Sequence, residues 1–90
     1  MPNVTLELEV VIAALRGQLT RNADTTVVIK TLIALSRVIV QRAPNATVRS
    51  VAHDLRVRAL KLSRANDVPR FIVRDMLDDV IQQLESPSPS

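Results

Sequence analysis

The 90-residue chain has no cysteine, tryptophan or tyrosine, and only one phenylalanine, one glycine and one histidine: Phe71, Gly17 and His53. The lack of cysteine excludes a disulfide framework and cysteine-ligated zinc, and it fits a protein kept in a reducing compartment. A single histidine cannot build a histidine-rich metal site. Without tryptophan and tyrosine there is no row of aromatic platforms on which single-stranded nucleic acid could stack. One glycine leaves no glycine-rich loop to cradle phosphates, and no Ser–His–acid set stands in a suitable context. Neither catalysis nor a cofactor is therefore expected.

Targeting signals are also lacking. Met1-Pro2-Asn3 carries no basic leader, and Glu7 and Glu9 interrupt the first apolar stretch, so no signal peptide is expected. The most apolar segment, residues 27–40, contains Lys30 and Arg37 and is too short to span a bilayer. The expected location is the cytoplasm, without membrane contact.

What the chain has in abundance is aliphatic material. Leucine, isoleucine and valine make up 30 of 90 residues, and the mean hydropathy is +0.15. A domain of this size buries only a modest part of its surface. The surplus implies helices apolar over more than one face, and hence a homodimer or a regulatory protein partner. Residues 1–85 read as one domain, followed by a disordered Ser/Pro tail at 86–90.

Apolar residues recur at helical spacing in four segments, so the expected fold is all-α, a compact bundle of about four helices, dimeric. The first segment runs from about Thr5 to Arg21, with Thr5 as cap and Gly17 weakening the last turns. The second, from about Thr25 to Arg42, is capped by Asp24 or Thr25 and has only Lys30, Arg37 and Gln41 as a polar stripe. Its β-branched content leaves a strand at 26–29 as an alternative. Pro44 breaks the chain, and Asn45 or Thr47 can cap a third segment from Val48 to about Ala65. Asp67 as cap and Pro69 in the first turn open a fourth, which runs to about Glu85.

Charge is segregated along these segments. Residues 46–66 carry Arg49, Arg56, Arg58, Lys61 and Arg64 against Asp54 alone. Residues 67–90 carry Arg70 and Arg74 against Asp67, Asp75, Asp78, Asp79 and Glu85. A basic third helix is followed by an acidic fourth. The three aspartates of the fourth have no second cluster of ligands nearby in sequence, and they read as a solvated face.

Residues 47–67 hold the most suggestive pattern. Val51-Ala52, then Leu55, Val57 and the run Leu62-Ser63-Arg64, resemble the helix-turn-helix of DNA-binding repressors of the LacI type. In that motif the apolar residues pack two short helices together, and the second enters the major groove. The resemblance implies a transcriptional regulator that binds double-stranded DNA. Contacts would come from Arg49, Arg56, Arg58, Lys61 and Arg64, with Arg58 and Lys61 nearest the bases. The usual turn glycine is replaced here by Arg56. The same apolar residues also fit one uninterrupted amphipathic helix whose basic residues form a solvated face. That helix could still hold DNA through phosphates, or could serve a protein–protein adaptor without any nucleic-acid role.

Val51-Ala52-His53-Asp54-Leu55-Arg56 is also similar to the phosphorylated-histidine box of sensor kinases, although Val57 and Arg58 depart from it. That similarity implies His53 as a phosphoacceptor in a phosphotransfer protein, since an imidazole nitrogen is nucleophilic near neutral pH.

Overall fold

Side-chain caps start the two longest helices. Asp24 accepts from the backbone N–H of Thr26, and Asn45 accepts from that of Val48 at 2.9 Å, each satisfying a donor with no partner inside its helix. The computed structural model describes residues 4–86. They form α1 (Leu8–Leu19), α2 (Thr25–Arg42), α3 (Ala46–Ser63) and α4 (Arg70–Glu85), with no strand among the described residues. The expected all-α bundle of four helices is observed. Residues 26–29 are helical, because Val28 and Ile29 belong to a buried stripe at helical spacing with Leu32, Ser36 and Ile39. Met1–Asn3 and the tail from Pro87 to Ser90 lie outside the described residues.

Several boundaries differ from the sequence reading, among them the end of α1 at Leu19 and the start of α3 at Ala46. Helix α1 begins at Leu8 rather than Thr5, and Glu7 at its cap position makes no side-chain cap bond. The preceding segment is drawn elsewhere: the Leu6 N–H donates to the Arg42 carbonyl at 2.8 Å. That bond satisfies a free carbonyl at the end of α2 and holds the chain off the α1 axis. Helix α3 ends at Ser63, with Arg64 as C-cap. Helix α4 starts after Pro69, not Asp67. Asp67 instead has φ +53°, a left-handed conformation that helps turn the chain between α3 and α4.

The largest interhelix contact joins α2 and α3, which the three-residue connection Ala43–Asn45 forces to run antiparallel. Ala52 and Ala59 on α3 are almost wholly buried, and their small side chains allow the two backbones to approach closely. Leu32, Ile39 and Leu55 fill the centre of the core. Ser36 is buried among them, and its hydroxyl donates to the Ile33 carbonyl at 2.8 Å, so the polar atom is satisfied within its own helix. Helices α1 and α4 pack on each other and close the other side with Val11, Leu15, Val73, Leu77 and Val80. Arg16 of α1 and Glu85 of α4 form an ion pair over this contact.

Candidate nucleic-acid interface

Helix α3 is unbroken from Ala46 to Ser63, so the backbone passes straight through Leu55–Val57. Of the two forms left open by the sequence, the single amphipathic helix is the one present. Val48, Val51, Ala52, Leu55 and Ala59 are buried along one side. Every polar residue of the segment is thereby assigned an angular position, and the basic residues fall into three groups.

Arg58 stands alone. Its Nε lies 3.1 Å from Asp54 one turn back, and its Nη1 lies 2.9 Å from Asp79 of α4. Gln83 also donates to Asp79, at 3.0 Å. Arg58 is thus committed to two carboxylates on the flank of α3 that faces α4. Its side chain is 41% exposed, so the two pairs are solvent-screened and worth about 0.2–1 kcal/mol each. They orient the guanidinium more than they stabilise the fold.

Arg49 and Arg56 occupy the opposite flank, since two residues along a helix, as from Arg56 to Arg58, is about 200° around it. Arg49 is exposed. Arg56 is half-buried, and its Nε is shielded from solvent without a hydrogen-bond partner among the described residues. Ser63 continues this column at the same seven-residue spacing, and it lines a cleft with Lys30 of α2. Lys30 in turn is seven residues from Arg37, also exposed. Two cation pairs, Lys30/Arg37 and Arg49/Arg56, therefore stand on neighbouring flanks of the antiparallel hairpin. Within each pair the axial separation is about 10 Å.

Lys61 and Arg64 form the third group, with His53. All three are exposed on the outward side of α3 around Val57. No hydrogen bond or ion pair involving the His53 ring, the Lys61 ammonium or the Arg64 guanidinium occurs among the described residues.

The hairpin from Thr25 to Ser63 carries seven basic side chains and one carboxylate, Asp54, which is engaged by Arg58. Helix α2 has no acidic residue at all. The α2–α3 flank is consequently net positive, and Lys30, Arg37, Arg49 and Arg56 form no ion pair among the described residues, although Asp24 and Asp67 line the same cleft as Lys30. Lys30 and Arg37 stand outside the expected DNA-contact set because they belong to α2 and not to the basic third segment. The signal that could have found them is the lack of any carboxylate in residues 25–42.

Helix α4 presents the opposite surface. Phe71, the only aromatic side chain, is 60% exposed, with Asp75 and Asp78 one and two turns further along. Asp79 is withdrawn toward Arg58. Among the described residues no group of three or more acidic or imidazole side chains is placed to hold a metal ion, and no helix is long and apolar enough to cross a membrane.

Comparison with protein-family models, with curated proteins and with solved structures finds no match to this chain.

Proposed function

We propose that the chain binds double-stranded DNA through backbone phosphates, using the α2–α3 flank, and acts as a small regulatory protein. The observation that carries this reading is the net positive surface formed by Lys30, Arg37, Arg49 and Arg56, none of which is ion-paired among the described residues. Four cations on two rigid helices offer phosphate oxygens a pre-ordered set of donors. An unbroken helix has no separate recognition helix to present end-on to a groove. The interaction is accordingly electrostatic and weakly dependent on base sequence. Arg64 and Lys61 extend the positive surface outward, while Arg58 contributes least because its charge is already matched.

A homodimer belongs to the same proposal. Val27 and Val38 are 42% and 41% exposed on the outward side of α2, and Ala34 between them is exposed as well. Pairing through this stripe would remove apolar surface from water and double the phosphate contacts per particle.

The test is fluorescence anisotropy with a labelled DNA duplex across a salt series. Four phosphate contacts predict a slope of log K against log salt of about −3 to −4 for one protomer. Arg37→Gln and Arg49→Gln, both at exposed positions, each reduce its magnitude by about 1. Absence of binding at low salt, or a slope indifferent to both substitutions, refutes the reading.

A second reading has its own observation in the exposed Phe71 on the acidic side of α4. A protein partner with a basic rim and an apolar pocket would suit that face, giving an adaptor role without nucleic acid. Phosphotransfer through His53 rests on its exposure alone, and a His53→Ala variant that retains regulatory activity in the native host disposes of it.

A further inference from the structure

A cleft of about 410 Å³ opens where the end of α1, the start of α2 and the start of α4 meet. Its composition is unusual for a surface depression on this chain. Three guanidinium groups, Arg21, Arg70 and Arg74, stand along it, and no carboxylate lines it. Val28, Val73 and Leu77, all buried core residues, contribute apolar surface. Gln18 also lines the cleft, and its Oε1 is shielded from solvent without accepting a hydrogen bond from any described residue.

The three arginines are only partly used by the fold. Arg70 donates through Nη2 to the Ala23 carbonyl at 2.6 Å, and Arg21 donates through Nη1 to the Thr31 hydroxyl at 3.3 Å. Each of those bonds fixes one nitrogen and leaves others for a ligand, since a guanidinium has five N–H donors. Arg74 has no ion pair among the described residues, although Asp78 lies one turn further along α4. Like charges brought together without a counter-charge cost free energy, and an anion between them removes that cost. The apolar lining beside them rewards a ligand that is not purely ionic.

We infer that this cleft is a binding site for a small phosphate monoester with an apolar body. Arginine matches phosphate oxygens in pairs, and three cations suit a dianionic head group better than a single carboxylate. The apolar body would lie against half-buried Leu19 and the accessible edges of Val28 and Val73. The site shares no residue with the Lys30/Arg37/Arg49/Arg56 surface, so it stands or falls independently of DNA binding. A ligand here would contact α1, α2 and α4 together, which makes it a means of setting their relative packing.

Phenyl phosphate, inorganic phosphate and phenol are the probes, followed by amide and side-chain chemical shifts of the full chain in NMR titrations. Phenyl phosphate is expected to perturb the Gln18 side-chain amide and the Arg21, Val73 and Arg74 backbone amides saturably, and to bind at least about tenfold more tightly than either fragment. Arg74→Gln weakens it about tenfold, and Arg37→Gln leaves it unchanged. Arg74 is exposed, and Arg21→Gln in the α1–α2 connection is the second variant should the first disturb folding. The inference is overturned if inorganic phosphate binds as well as phenyl phosphate. It is equally overturned if the shifts centre on Lys30, Arg37, Arg49 and Arg56, or if the cleft substitutions leave affinity intact.

Discussion

Arg58 of α3 reaches Asp79 of α4 at 2.9 Å while holding Asp54 of its own helix at 3.1 Å. One cation is shared by two carboxylates across the boundary between the basic and acidic helices. The charge of the third helix is therefore divided, with Arg58 matched internally and the α2 side left unmatched. Asp79→Asn is expected to lower stability by only about 0.5 kcal/mol, because the pair is solvent-screened. It should raise affinity for duplex DNA at low salt by freeing Arg58. Urea denaturation and anisotropy measured on the same variant check both halves of this expectation.

Leu55 lies at the midpoint of α3 and is fully buried against α2 and the rest of the core. Leu55→Ala leaves a cavity that neighbouring helices cannot fill completely, and the expected loss is about 3 kcal/mol. Chemical denaturation gives the value directly. A loss under 1 kcal/mol would mean that α3 is not seated in the core as described.

Gly17 lies inside α1, and a Cβ built there meets nothing within 4 Å. Gly17→Ala should stabilise the protein by about 0.5–1 kcal/mol through the lower backbone entropy of the unfolded chain and better helix propensity. A higher denaturation midpoint with unchanged slope is the expected result. Destabilisation would show that this face of α1 is closely covered in solution, as a dimer through α1 would require.

Asp67 holds φ +53°, where a side chain costs free energy that glycine does not incur. Asp67→Gly is expected to be neutral or stabilising by up to about 1 kcal/mol, whereas a β-branched Asp67→Val should destabilise by more than that. Thermal unfolding of the two variants side by side makes the comparison, and equal midpoints would refute the strain.

Much of the fold was legible in the chain. The spacing of Val28, Leu32 and Ile39, and of Val73, Leu77, Val80 and Leu84, is a local property that marks a helix and its buried side together. Asp24 and Asn45 act as caps at the positions where their chemistry suggested. Local rules place the start of α1 at Thr5, but a long-range bond from Leu6 to Arg42 that no local rule contains moves it to Leu8. The residue type of Asp67 suits a cap, yet the turn holds it in a left-handed conformation two residues before Pro69.

The candidate site was legible in part. Arg49, Arg56, Arg58, Lys61 and Arg64 were visible as a basic segment, but their sequence proximity hid the fact that they point in three directions. The sequence by itself determined four amphipathic helices, a basic third and an acidic fourth, because helical period and charge order are written along one dimension. Only the tertiary structure decided which cations are free. That depends on which flank of α3 lies against α2 and which against α4, and the burial of Ala52, Leu55 and Ala59 sets that rotation. The same packing puts Arg58 against Asp79, and leaves Lys30, Arg37, Arg49 and Arg56 without an ion pair among the described residues.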